Sequence, residues 1–318
     1  MIETPLTALQ AAGFLLAGAA VIGNDALQTL GTFLAANRGR IPRPLQALYL
    51  SAVLCGVLVL GWSRADGEPA WGRLAQIPLP ERLTWADLLP PLAVLALTRA
   101  GAPVSTSFLV LTAFAPASLG GLLRQSLLGY GAALVVGVLV YGSMAWLLER
   151  PAEVESPHPR WLILQWLAGG WLWGQWLIQD LANVYVYLPR RLEAWPMALS
   201  LVALCAGVCL LLASDGGPIQ GLLRSKSHVS DPRSATLISA IYGLILAGFA
   251  AASPQPLSTT WVFLGLLAGR ELALQIRSRE RPAAEVAGLV GGDIARAALG
   301  LAVSVGVALA LPALRLRL

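Results

Sequence analysis

From Leu127 to Leu148 the chain carries no charged side chain, and the stretch from Ala47 to Trp62 is the same. Runs this apolar and this long leave the backbone one economical way to satisfy its own N–H and C=O groups away from water, the α-helix. Outer-membrane barrels alternate apolar and polar residues, and these runs do not. Of the 318 residues, 57% are hydrophobic and 12% charged, against about 25% charged in a soluble domain. The expected fold is therefore an all-α integral membrane protein, with about 10–12 hydrophobic segments. The apolar pattern places them near 8–22, 47–62, 87–99, 105–121, 127–148, 161–178, 195–213, 234–252, 259–274 and 285–311. The last contains Gly291-Gly292-Asp293 and reads as one long piece or two.

A polar linker, 149–160, with Pro151, Pro157 and Pro159, divides the chain into halves 1–148 and 161–318. The amino-terminal residues lack a basic region and a clear small-residue cleavage site, so Ala8–Ile22 reads as a retained membrane segment. The net charge of +5 comes from short arginine clusters between apolar runs, and Lys226 is the sole lysine. That pattern sets membrane orientation and excludes a nucleic-acid surface. Cys55, Cys205 and Cys209 lie in apolar segments and read as packing residues, while His158 and His228 fall in polar linkers.

Two acids break the apolar pattern at matched places. Asn24-Asp25-Ala26-Leu27-Gln28 is followed 80 residues after Asp25 by Ser105-Thr106-Ser107. Gln179-Asp180-Leu181-Ala182-Asn183 is followed 78 residues after Asp180 by Ser258-Thr259-Thr260. A proline, Pro103 or Pro256, precedes each hydroxyl triplet by two residues. An acid in a bilayer costs about 2.5–3.5 kcal/mol on insertion scales, so it marks a functional position. Two at matched positions predict one shared site built from both halves. The acid stretches Asn24–Ala36 and Gln179–Leu188 are too short to span alone, and we expect discontinuous helix there. The prolines predict helix starts at the triplets, placing the hydroxyls at N-termini.

This residue set suits a tetrahedral oxyanion. Ser105, Thr106, Ser107, Ser258, Thr259 and Thr260 supply hydroxyl donors, the helix N-termini add N–H groups, and Gln28, Gln179 and Asn183 add amides. Asp25 and Asp180 would repel an anion unless neutralised by Na⁺ or by protons, which makes each ion improve the binding of the other. Arg99 is the arginine nearest a triplet in sequence. Read one at a time, the same residues have plainer roles. A membrane Ser-Thr-Ser often bonds its own helix carbonyls, and an Asp can cap a helix. Asp293 and Arg296 read as an internal pair, Arg270-Glu271 as a helix end at the membrane surface, and the tryptophans between Trp161 and Trp176 as interfacial belt and packing. Tyr185 and Tyr187 follow the second acid, where a gate would lie.

At these four motifs the chain resembles the inorganic phosphate transporter (PiT) family, which includes sulfate permeases. The resemblance rests on Gly23-Asn24-Asp25-Ala26-Leu27-Gln28-Thr29-Leu30-Gly31-Thr32, on Ala102-Pro103-Val104-Ser105-Thr106-Ser107, and on their second-half counterparts Gln179-Asp180-Leu181-Ala182-Asn183 and Gln255-Pro256-Leu257-Ser258-Thr259-Thr260. Gln28 and Gln179 stand where that family has asparagines, and Phe108 and Trp261 where it has histidines. The resemblance implies two inverted transporter repeats, a homodimer, aspartates that bind the cation with Asn24 and Gln179, and hydroxyls that hold phosphate with Gln28 and Asn183. The expected activity is secondary transport of phosphate or a similar oxyanion with Na⁺ or H⁺, in a bacterial-type inner (plasma) membrane, without enzymatic chemistry or cofactor. Alternatives are a sulfate permease, a membrane enzyme acting on lipid-linked phosphate, and a non-transporting scaffold on the same fold.

Overall fold

A computed structural model describes residues 6–78, 82–99, 104–148, 159–214, 232–253, 255–278 and 283–315. Residues 149–158 of the 149–160 linker and both histidines lie outside the described residues, as do the side chains of Gln28, Asp293 and Arg296, while Pro159 and Arg160 are already helical. Helices α1 (Ala8–Asn37), α2 (Arg43–Arg64) and α3 (Leu89–Arg99) build the first part. A π-helical turn, Ser107–Leu111, and a helical turn, Thr112–Phe114, follow, and the chain breaks at Ala115-Pro116 before α4 (Leu119–Leu148). The second part contains α5 (Pro159–Tyr185), α6 (Ala194–Ala213), α7 (Pro232–Ala252), α8 (Thr259–Ser278) and α9 (Ala283–Arg315). No strand occurs among the described residues.

Six of these helical stretches are long and apolar enough to cross a bilayer: Ala8–Asp25, Arg43–Arg64, Pro116–Ser143, Ala194–Ala213, Pro232–Ala252 and Val290–Arg315. The chain is accordingly an integral membrane protein. Its helices are apolar on all sides, with a one-turn stripe of buried residues. Helix α2 buries Gln46, Leu50, Leu54, Leu58 and Gly61, and turns Leu48, Val59 and Leu60 outward. Helix α6 buries Met197, Ser200, Leu204, Val208 and Leu211, with Leu199, Val202 and Leu210 outward. In water such outer faces would be an aggregation hazard, and in lipid they are the solvent-facing surface.

The acid stretches differ from expectation. They are not separate broken helices. Helix α1 runs unbroken through Asn24 and Asp25, and α5 runs unbroken through Asp180 and Asn183. No proline interrupts either one, and the polar side chains find partners on other elements, so the backbone ladder has no reason to open. The start of α1 is fixed by a capping box: Gln10 N–H donates to Thr7 Oγ1 (3.2 Å) and Thr7 N–H donates to Gln10 Oε1 (2.8 Å). Helix α9 is likewise one piece, continuous through Gly291-Gly292 and Pro312. Arg270-Glu271 does not end a helix. The pair lies inside α8, bonded at 2.8 Å, with Arg270 over the ring of Tyr141.

The expected helix starts at the hydroxyl triplets do occur. Helix α8 begins at Thr259, and the first triplet opens the helical turn at Thr106. Helices α4 and α8 run in the same direction and approach through glycine. A Cβ on Gly265 would meet the backbone of Tyr130, and one on Gly269 would meet the carbonyl of Leu134. Small residues permit such backbone approach in membranes. Helices α1 and α5 are antiparallel. Asn37 donates to Gln165 Oε1 (2.9 Å) and accepts from Trp166 Nε1 (2.7 Å) at one end of the pair. From that end, about 18 Å of helix leads to Asp25 and about 22 Å to Asp180 at 1.5 Å per residue, so the acids lie at nearly one depth.

Candidate functional site

Asn24, Asp25, Asp180 and Asn183 are all within 1% of complete burial, and so are the central hydroxyls Thr106 and Ser107. Ser258, Thr259 and Thr260 are buried beside them. The two triplets do the same three jobs, position by position. The first hydroxyl caps its own helix: Phe108 N–H donates to Ser105 Oγ and Trp261 N–H donates to Ser258 Oγ, each at 3.3 Å. The second donates to the acid of its own half: Thr106 Oγ1 to Asp25 Oδ2, and Thr259 Oγ1 to Asp180 Oδ2 (2.7 Å). The third crosses to the other half: Ser107 Oγ donates to Asp180 Oδ1 and Thr260 Oγ1 to Asp25 Oδ1, both at 3.3 Å. Each carboxylate therefore receives one hydroxyl from either half of the chain.

The amides complete the cluster. Asn24 Nδ2 donates to Asp25 Oδ1 (2.8 Å) and to the carbonyl of Val104. Asn183 Nδ2 lies within bonding distance of Asp180 Oδ1 (2.9 Å), Ser107 Oγ (3.1 Å) and Thr106 Oγ1 (3.2 Å). Gln179 turns toward α7 and donates to the carbonyl of Leu246 (3.1 Å). Asn24 Oδ1, Asn183 Oδ1 and Gln179 Oε1 are buried without a partner among the described residues. An unmade buried bond costs about 1–3 kcal/mol. Two carboxylates and uncommitted amide oxygens form an oxygen-rich set of the kind a hard cation selects. Phe108 and Trp261 stand just beyond the triplets, with ring centroids 5.8 Å apart and a tilt of 53°. They place an aromatic contact between the two helix starts.

The connection between α2 and α3 packs against the chain that leaves α5 after the second acid. Its turn Arg73–Gln76 begins after Gly72, whose φ of 75° suits glycine. Leu74 N–H donates to Glu68 Oε1 (3.0 Å), Leu192 N–H to the Gly67 carbonyl (2.9 Å), and Trp62 Nε1 to the Leu192 carbonyl (2.7 Å). The connection is thus tied to the chain leaving α5. Burial pushes the Arg73 guanidinium down to about 10, and Asp180 opposes that shift. Burial likewise pushes Arg190 down to about 10, opposed by Glu68. Glu68 is raised by burial, against the Leu74 N–H, Arg190 and the Gly72 N–H.

Arg99, the arginine closest in sequence to a triplet, ends α3 exposed. Arg73, outside the motifs, is only 5% exposed. Nothing in Trp71-Gly72-Arg73 marks it in sequence as buried. A second buried cluster was equally hidden. Arg315, in the last turn of α9, bonds Asp87 Oδ1 through Nε (2.9 Å) and Nη2. Tyr187 donates to the Asp87 carbonyl (2.8 Å) and meets Phe114 edge-on at 5.0 Å. Tyr185 bonds Ser200 (2.7 Å) and packs on Phe14, so it serves the α1–α6 contact. Trp173 and Trp176 are buried and stacked at 4.9 Å, as core packing. Cys55 Sγ lies 3.6 Å from Cys205 Sγ across α2 and α6, while Cys209 is exposed.

Comparison with known families, curated proteins and solved structures returns no match for this chain.

Proposed function

We propose that this protein is a secondary transporter for a tetrahedral oxyanion, inorganic phosphate foremost, driven by Na⁺ or H⁺. The observation that carries the reading is the reciprocal bonding of two buried carboxylates by hydroxyls from both halves. A structural acid needs one satisfied environment, whereas two acids joined crosswise at one depth form a single site that both halves must maintain.

The bonding also supplies a coupling mechanism. Each hydroxyl has one proton to donate. While Asp25 and Asp180 are ionised and cation-free, those protons are committed to carboxylates. A cation or proton on the carboxylates relieves that demand and removes the charge that would repel an anion. The O–H groups of Thr106, Ser107, Thr259 and Thr260 then turn to the oxyanion, joined by the N–H groups at the start of α8 and of the turn at Thr106. Anion and cation each improve the other's affinity, as linkage requires.

We further read the halves as inverted repeats. The matching jobs of the triplets support this. So do the antiparallel α1 and α5, and Cys55 meeting Cys205 halfway along α2 and α6, which occupy equivalent places after the acid helices.

Uptake of labelled phosphate and of labelled sulfate into proteoliposomes, under imposed Na⁺ and pH gradients, tests the reading. Gradient-driven uptake of one of these anions, lost in Asp25→Asn and in Asp180→Asn, is the expected result. Uptake no greater than in those two variants, for both anions, would contradict it.

A further inference from the structure

We propose that two position-matched contacts, Thr32 with Ser239 and Tyr187 with Asp87, are the gates that close the site from opposite sides. The inference rests on the transporter reading and adds the residues that must part for a solute to pass.

Asp25, Asp180, Thr106, Ser107, Thr259 and Thr260 are each 2% exposed or less, so the site is closed on both sides. A transported ion reaches it only when a contact on one side or the other parts. Thr32 and Tyr187 are each the seventh residue after the acid of their half. Ser239 stands 19 residues before Ser258, and Asp87 stands 18 before Ser105. These places meet crosswise between the halves. Thr32 Oγ1 lies 3.2 Å from Ser239 Oγ, and the Tyr187 hydroxyl donates to the Asp87 carbonyl (2.8 Å). Because α1 and α5 are antiparallel, seven residues, or about 10 Å, lead from the two acids toward opposite sides. Two contacts fix that direction. Asn37 bonds Gln165 at one end of the pair, and the Tyr187 ring lies against Gly13 at the other, where an added Cβ would strike it.

Each contact is also joined to a triplet. In α7, Tyr242 lies one turn beyond Ser239 and donates to the carbonyl of Thr259 (2.8 Å). On the other side, Arg315 holds the Asp87 carboxylate through Nε (2.9 Å), and its Nη2 lies 3.5 Å from the Ala113 carbonyl. Its guanidinium sits over the ring of Phe114, which meets Tyr187 edge-on. Ala113 and Phe114 end the helical turns that follow the first triplet. Movement of either contact is therefore felt by hydroxyls of the site. The contacts themselves lie too far from the carboxylates to touch a bound ion, so they set how fast a solute enters and leaves.

The test times entry and release of labelled phosphate or sulfate on purified full-length protein by rapid filtration. Thr32→Val and Tyr187→Phe should each speed both steps about 3- to 10-fold, the equivalent of one hydrogen bond, and hold Kd within about twofold. Unchanged entry and release in either variant, or a loss of affinity that accounts for the faster release, would overturn the gates and leave the transporter reading intact. A lock gives a second measurement. In protein with Cys55, Cys205 and Cys209 replaced by alanine, Thr32→Cys with Ser239→Cys should cross-link under copper-phenanthroline. Gradient-driven uptake into proteoliposomes should then stop and return with dithiothreitol, while the detergent-solubilised protein still binds the anion. Failure of the cross-link to form, uptake that continues once it has formed, or binding lost together with uptake would each overturn the gate at that side. Absence of phosphate and sulfate binding in the wild type would overturn the underlying reading, and this inference with it.

Discussion

A serine or threonine side chain has one proton to give, and in this site most are given to carboxylates. Thr106 and Thr259 each hold the acid of their own half. Replacing either by valine keeps the shape and removes a bond to a charged group, worth about 1.5–3 kcal/mol. The bond to the acid belongs to the cation-free state, so apparent affinity for the proton or cation should rise. Anion affinity should fall by about 10- to 100-fold, because the oxyanion loses a donor, as measured by labelled-anion binding across a Na⁺ and pH series. Ser105 and Ser258, which cap helices, should behave differently. Alanine there costs about 1 kcal/mol of stability and changes affinity less. These residues were legible in the sequence because their chemistry is costly in a bilayer, and cost marks purpose. The burial of Arg73 was not legible, because an arginine in a mixed loop usually sits in water, and only the fold turns this one inward.

Element by element, two contacts hold the scaffold around the site. The first is the glycine approach of α8 to α4. Gly269→Val should lower the melting temperature of the detergent-solubilised protein sharply, since the added atoms meet backbone, which does not yield as a side chain would. Gly248→Ala, with open space at its Cβ, should leave it unchanged or slightly raised, by helix propensity. The second is the ion pair of α9 with the turn before α3. Asp87 is 1% exposed, so Arg315→Ala strands a buried charge, a loss of about 3 kcal/mol or more in a thermal melt. Adding Asp87→Asn should recover much of it, because asparagine keeps the side-chain oxygen that accepts from Thr84 N–H. Apolar runs located most helices within a few residues. They misplaced the acid stretches, because polar residues inside an apolar run look the same whether a helix opens to water or stays closed and finds partners across the bundle. Only the triplets, with proline before them, carried a backbone signal as well as a chemical one.

At the scale of the molecule, the account depends on two halves meeting at one depth. Cys55 and Cys205 report on that meeting at a distance from the acids. With a protease site placed in the 149–160 linker, copper-phenanthroline oxidation should join the two fragments on a non-reducing gel. Cys55→Ala or Cys205→Ala should abolish the join. No sequence pattern predicts this contact, since a packing cysteine and a paired one look identical along the chain. The central claim, a site shared by Asp25 and Asp180, is tested most directly by an experimental structure with phosphate and Na⁺ supplied together. The account predicts density for a tetrahedral anion against the hydroxyls of both triplets, with a cation at the Asp25 and Asp180 carboxylates. Carboxylates lying apart, facing lipid or separate aqueous layers with no common density between them, would contradict it.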